Sequence, residues 1–171
     1  TTSLGLSGYA VAGVSGLDNA TTFATAKGAA TTMTYTVTGA GFSGANAISV
    51  TVNLNGVNDL AGLVEAINAG ITGAAQGTTA AATAFKNAAI SAQMNSAGTS
   101  FELVSTGAAF AVQDNGAAGA ARNFLGTTAI DQVKVAGGLE GKTISWAGDI
   151  ADGETQVVTL STVDEGGTMH K

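Results

Sequence analysis

The chain of 171 residues contains 34 Ala, 25 Gly and 24 Thr, so three small residue types make up about half of it. It has no Cys, a single His at position 170, and a formal net charge of −6 from 6 basic and 12 acidic residues. This composition excludes disulfides and Cys-based metal centres, and it excludes the basic stripe that binding to nucleic acid requires. No apolar run reaches the roughly 18 residues of a membrane span.

The N-terminal third combines a flank of small residues with two predicted strands. Residues 1–30 are rich in Gly, Ala, Ser and Thr, with a candidate strand at 9–14, and we expect this flank to need a neighbour in order to fold. Alternating apolar and polar residues predict half-buried strands over residues 31–38 and 47–54. The Asn55-Gly56 pair then indicates a tight turn.

One clear amphipathic helix follows, over about residues 58–70. Its apolar side chains recur at helical spacing and form one stripe: Leu60, Leu63, Val64, Ile67 and Ile71. Asn58 or Asp59 can cap its first turn, and Gly70 is placed to end it. The Ala/Thr/Gly-rich residues 72–84 can form a surface loop or a short Ala-rich helix, and the loop is the preferred interpretation.

Short strands are predicted at close spacing in the rest of the chain. Alternating apolar residues place three of them at residues 88–95, 100–105 and 109–114. Phe124 and Leu125 are expected to anchor the next loop in the core, and three more strands are expected at 132–136, 143–147 and 155–162. The predicted fold class is therefore α+β, mainly antiparallel, with one principal helix packed on a sheet.

Two patterns could hold an ion or a phosphate, and each has a simpler interpretation. Residues 136–143 (AGGLEGKT) fit a permissive phosphate-binding loop, but the helix that must follow such a loop is not predicted. A loop between two strands is preferred. Asp149, Asp152 and Glu154 could bind calcium, although an Asp-Gly pair is also common in turns. We predict no cofactor, no metal site and no catalytic residue.

Two further patterns concern sugars. Asn19-Ala20-Thr21 matches the pattern for Asn-linked glycosylation, which is common by chance in a Thr-rich chain. Tyr35 and Trp146 could form a sugar-stacking platform, and burial as core anchors is the preferred alternative. Arg122, the only Arg, is expected to pair with a nearby carboxylate.

Residues 52–71 (VNLNGVNDLAGLVEAINAGI), followed by residues 88–114 and by RNFLGTTA at 122–129, form a longer pattern. The sequence over about residues 50–128 resembles the flagellin hook IN motif of bacterial flagellins and of flagellar cap and hook-associated proteins. The shared features are Leu63-Val64, Ile67-Asn68-Ala69, the Ile-Ser-Ala strand at 90–92, the turn and strand at 98–103, and Leu125-Gly126.

The resemblance implies structural roles. Leu63, Val64 and Ile67 would pack the helix on the sheet, and Asn68 would hydrogen-bond a neighbouring loop. The insert at residues 72–84 is long for the motif. The chain also lacks the heptad-rich terminal helices that complete flagellins use to build a filament core. It therefore resembles an outer domain rather than a polymerising subunit.

Three segments are expected: the small-residue flank 1–30, an α+β domain over 31–130, and a β-rich segment 131–171 that is a candidate to pair with the flank. The expected function is non-catalytic and structural, as the extracellular, surface-exposed outer domain of a flagellin-type filament protein. Its expected partners are neighbouring subunits and glycans, with no nucleic acid and no membrane insertion, and the isolated chain is expected to be monomeric. The alternatives are a carbohydrate- or host-surface-binding adhesin module and a domain of a flagellar cap or hook-associated protein.

Overall fold

A computed structural model describes residues 8–106, 108–115, 123–125, 133–136, 162–163 and 169–170. The chain divides into two compact units, Thr1–Glu140 and Gly141–Lys171. In the described part of the second unit, two short strands pair antiparallel, β8 (Thr162–Val163) and β9 (Met169–His170). The remaining elements belong to the first unit.

Two antiparallel sheets form the framework of the first unit. The three-stranded sheet has the order β1–β5–β4, with β1 at Tyr9–Ala12, β5 at Phe101–Ser105 and β4 at Ser91–Met94. The four-stranded sheet has the order β3–β2–β6–β7, with β3 at Ile48–Asn53, β2 at Thr32–Gly39, β6 at Phe110–Asp114 and β7 at Val133–Val135. The predicted α+β class with mainly antiparallel strands is confirmed.

Alternation of apolar and polar residues explains why these segments are strands. In β2, Met33, Tyr35 and Val37 are buried while the intervening Thr residues lie outside the core, so one face of the strand is apolar. Tyr35 lies opposite Val50 of β3, which is also buried. Both sheets and the principal helix contribute side chains to one hydrophobic core.

The principal helix, α2, spans Leu60–Ala74 and is longer than predicted. Asp59 caps it, because its carboxylate accepts a hydrogen bond from the Gly62 N–H at 2.8 Å. The prediction that Gly70 ends the helix is wrong. Gly70 lies inside α2, at a point where the helix contacts strand β3 so closely that a side chain would not fit.

The preferred loop over residues 72–84 is also wrong, because its two ends are helical. Its first residues form the last turn of α2, and helix α3 begins at Ala80 and ends at Ala88. Thr79 caps α3 by accepting a hydrogen bond from the Ala82 N–H at 3.1 Å. Ala is the best helix former. This Ala-rich segment is therefore helical, because Thr79 caps it and Phe85 packs in the core.

The described part of the N-terminal flank, residues 8–30, belongs to the first unit. Strand β1 lies within the predicted 9–14 segment and pairs with β5. Helix α1 (Ala20–Lys27) was not predicted, because Phe23 is the one large apolar residue it buries. Asn19 caps α1 by accepting hydrogen bonds from two backbone N–H groups, so the side chain of the glycosylation pattern serves here as a helix cap.

The C-terminal part of the first unit agrees with prediction where it is described. Phe124 and Leu125 are buried, and the ring centroids of Phe124 and Phe23 are 5.6 Å apart. Strand β7 pairs with β6, and the Lys134 ammonium donates a hydrogen bond to the Ala12 carbonyl at the end of β1. The strand predicted at 143–147 lies outside the described residues, and of 155–162 only Thr162 is described.

Candidate interaction surface along helix α2

Asn68 of helix α2 fastens the helix to strand β4 with a pair of hydrogen bonds. Its Nδ2 donates to the Ala92 carbonyl at 2.9 Å, and its Oδ1 accepts from the Ala92 N–H at 2.8 Å. The side-chain amide therefore satisfies both backbone groups of one residue, as a neighbouring strand would. The resemblance implied a neighbouring loop as the partner of Asn68, and the structure places that partner on a strand.

The strand register explains why Ala92 needs this partner. The Asn95 N–H donates to the Ser100 carbonyl, which sets the alternation of hydrogen-bonded pairs between β4 and β5. By this alternation, Ser91 and Gln93 direct their backbone groups towards β5, while Ala92 and Met94 direct theirs to the outer edge. Ala92 is buried, so its backbone groups would be costly to leave unpaired.

The opposite flank of α2 lies against the outer edge of β3. A Cβ atom added to Gly70 would lie 2.6 Å from the Thr51 carbonyl oxygen and 3.2 Å from a methyl of Val50. The Leu54 N–H donates to the Thr31 carbonyl, so alternate residues of β3 direct their backbone groups away from β2. These residues are Ser49, Thr51 and Asn53. Helix α2 thus covers an edge of each sheet, with Asn68 on β4 and Gly70 on β3.

The residues named in the resemblance occupy distinct positions on α2. Leu63 and Ile67 are fully buried at 0 % exposure. Val64 is half-buried and packs against the core. Leu63, Val64 and Ile67 therefore pack α2 against the core. Asn68 lies between this buried stripe and strand β4.

An open groove of about 850 Å³ runs between the exposed flank of α2 and β3. The β3 side and the turn that follows provide hydroxyl and amide groups: Ser49, Thr51, Asn53 and Asn55. The helix side consists of Gly and Ala residues together with Glu65, the one ionisable residue in the lining. Such a surface offers hydrogen bonds and close approach to a ligand or another chain.

The remaining predicted patterns fall mostly outside the described residues. Of the phosphate-loop pattern 136–143 only Ala136 is described, and it is buried. The acidic residues 149, 152 and 154, together with Arg122 and Trp146, lie outside the described residues. Within the described ranges, no three His, Asp or Glu residues form a group that could hold a metal ion. Likewise, no described helix is long and apolar enough to cross a membrane.

Tyr35 is a core anchor rather than a sugar platform. Its side chain is 1 % exposed, and its hydroxyl has no hydrogen-bond partner among the residues that the structure describes. It lies opposite the buried Asp114 on the neighbouring strand β6. Burial, and then the negative charge of Asp114, raise the pKa of Tyr35 well above the usual value of a phenol. The phenol therefore stays neutral.

Replacing Tyr35 with Phe is expected to raise the free energy of unfolding by about 1 kcal/mol, because it removes a buried hydroxyl without a partner. Urea denaturation monitored by circular dichroism measures the change. Tyr9→Phe is the matched control, since Tyr9 is half-buried on β1 and should show almost no effect. A loss of stability in Tyr35→Phe would contradict the assignment of an unpartnered hydroxyl.

Comparison of the chain with protein-family models, with curated proteins and with solved structures found no match.

Proposed function

We propose that this chain is a non-catalytic structural domain, exposed on the surface of a bacterial flagellin-type filament protein. The observation that carries the proposal is the role of Ile67 and Asn68, the pair at the centre of the resemblance. Ile67 is fully buried and Asn68 holds both backbone groups of Ala92. This arrangement supports the proposal because both residues of the pair hold helix α2 against the rest of the fold, as the resemblance implies.

The order of elements supports the same proposal. Helix α2 is followed by strands β4 and β5, which pair antiparallel, and then by β6 of the four-stranded sheet, and this order matches the order of the segments in the resemblance. The intervening α3 accounts for the long insert as a packed helix whose Phe85 ring meets Phe42 at 5.5 Å. In the proposed setting, the domain projects from an extracellular filament, where neighbouring subunits and glycans are its partners.

The proposal is tested by grafting. The chain is inserted in place of the outer domain of a flagellin that assembles, and filaments are examined by electron cryomicroscopy. Filaments with additional density at the surface are expected, together with a monomeric isolated chain in light scattering. Failure of the graft to assemble, while a graft of an unrelated domain of similar size assembles, would overturn the proposal. Filaments formed by the isolated chain alone would overturn it as well.

A carbohydrate-binding or adhesin module is the second candidate, and the groove favours it. Hydroxyl and amide side chains such as those of Ser49, Thr51 and Asn53 suit the hydroxyl groups of a sugar. Ala69 lines the groove from an exposed position, so Ala69→Trp should obstruct part of the groove without entering the core. Glycan-array signals that disappear in Ala69→Trp would support this candidate, and the absence of any signal from the unmodified chain would exclude it.

A further inference from the structure

The sequence contains two Asn-Gly pairs, Asn55-Gly56 and Asn115-Gly116. Asn is a thermolabile residue, and a following Gly leaves its side chain open to attack because Gly has no Cβ. From the sequence alone, Asn115-Gly116 is interpreted as a chemically fragile surface turn and Asn55-Gly56 as a tight turn. We propose that the folded chain has one preferred site of spontaneous deamidation, at Asn55, on the rim of the groove beside α2.

The reaction needs water and no other reagent. The backbone nitrogen of Gly56 attacks Cγ of Asn55, a new C–N bond closes a five-membered succinimide, and the bond from Cγ to the amide nitrogen breaks. Ammonia leaves with the proton that the Gly56 nitrogen gives up. Water then opens the ring at one of its two carbonyls and yields aspartate or isoaspartate. One water is consumed, one ammonia is released, and nothing is oxidised or reduced.

The geometry at Asn55 leaves both reacting groups accessible. Asn55 and Gly56 are exposed, and they form the centre of a turn closed by a hydrogen bond from the Val57 N–H to the Leu54 carbonyl at 3.2 Å. Gly56 has a φ of +75°, and a Cβ placed there would meet no atom within 4 Å in the described part of the chain. Among the described residues, neither the Asn55 side chain nor the Gly56 N–H has a hydrogen-bond partner.

Asn115 is held in place at the end of strand β6. Its backbone N–H donates to the Thr34 carbonyl at 3.0 Å, and its side-chain Nδ2 donates to the hydroxyl of Thr36. The amide nitrogen that would have to leave is thus engaged with β2, and rotation of the side chain towards the next residue requires breaking that bond. The structure therefore ranks the two pairs, with Asn55 reacting first.

Deamidation at Asn55 changes the groove. It adds a carboxylate to a lining whose one ionisable residue is otherwise Glu65. The isoaspartate product also inserts a methylene into the main chain between β3 and the cap of α2 at Asp59. The groove consequently becomes more acidic with age, independently of the filament role proposed above.

The test holds the folded protein at mildly alkaline pH and follows both pairs by peptide mass spectrometry, with isoaspartate detected by a methyltransferase specific for it. A parallel sample is kept unfolded in urea. Asn55 is expected to react several-fold faster than Asn115 in the folded protein, and the two rates should converge in urea. Equal rates in the folded protein, or a faster reaction at Asn115, would overturn the proposal.

Thr36→Val isolates the contribution of the hydrogen bond at Asn115. Thr36 is half-buried in β2, where a β-branched Val suits the strand. The deamidation rate of Asn115 is expected to rise in this variant while that of Asn55 stays unchanged. An unchanged rate at Asn115 would overturn the explanation for the ranking. Denaturation curves confirm that the variant is folded at the incubation temperature.

Discussion

Replacing Gly70 with Ala is expected to lower the free energy of unfolding by about 2 kcal/mol, although Ala is the better helix former. The added Cβ would lie 2.6 Å from the Thr51 carbonyl oxygen, a backbone atom that cannot rotate away. Helix α2 and strand β3 must therefore separate, at a cost of about 3 kcal/mol for overpacking. The higher helix propensity of Ala offsets about 1 kcal/mol of this loss.

Gly73→Ala is the matched control for this prediction. Gly73 lies in the same helix, one turn further on, and a Cβ there would meet no atom of the described residues within 4 Å. The same exchange should then raise the free energy of unfolding by about 0.5 kcal/mol, the lower end of the range for a helix interior, because Gly73 lies in the last turn of α2. Urea denaturation of the two variants should give shifts of opposite sign. Stabilisation by both substitutions would contradict the close contact between α2 and β3.

The role of Gly70 illustrates where sequence reasoning ends. A Gly after an amphipathic stripe commonly ends a helix, and from the sequence alone Gly70 fits that pattern. The requirement for Gly comes instead from a strand that precedes it by about 20 residues, with Thr51 at the contact. Such a requirement depends on tertiary packing, which residue spacing does not encode.

The spacing of large apolar residues made the core predictable. Helices α1 and α3 consist mainly of small residues, and the preferred interpretation of the sequence did not include them. The stripe containing Leu63 and Ile67 and the alternation in β2 and β3 identified the buried positions correctly. Helices α1 and α3 bury few large side chains, Phe23 in one and Phe85 in the other. Asn19 and Thr79 cap these helices, but Asn and Thr are common in turns as well, so their presence in the sequence does not identify a helix start.

The groove was less predictable than the fold. Its lining combines the outward residues of β3 with the helix flank opposite the buried stripe, so it exists only because α2 lies along the outer edge of that strand. The alternation in β3 did predict that Ser49, Thr51 and Asn53 face away from the core. Which surface they would share with α2 depended on the packing at Gly70.

Asn68→Ala is expected to lower the free energy of unfolding by about 3 kcal/mol. The substitution removes two hydrogen bonds of about 1 kcal/mol each, and it leaves the N–H and carbonyl of buried Ala92 without partners, which adds to the loss. Asn58→Ala is the control, because Asn58 makes one exposed hydrogen bond, to the Gly56 carbonyl at 3.1 Å. Its loss should change stability by about 0.5 kcal/mol or less.

Asn68→Asp separates the two hydrogen bonds by pH. At neutral pH the carboxylate still accepts from the Ala92 N–H, but it faces the Ala92 carbonyl without a proton to donate. The protonated acid can donate, so folding should raise the pKa of this carboxyl above its unfolded value. Stability of the variant should then increase as pH falls through that raised pKa, because the folded state binds the extra proton. A variant that loses stability on acidification more steeply than the unmodified chain would contradict the paired geometry.

Asn68→Ala should also change the association of the chain. Ala92 and Met94 direct their backbone groups to the outer edge of β4, and an open edge is a template for pairing with another chain. Asn68 occupies the position of the next strand and blocks it. Asn68→Ala should therefore form dimers or larger species in size-exclusion chromatography at concentrations where Asn58→Ala remains monomeric. A variant that is destabilised yet remains monomeric would show that Asn68 holds α2 against the sheet but does not prevent β4 from pairing with another chain.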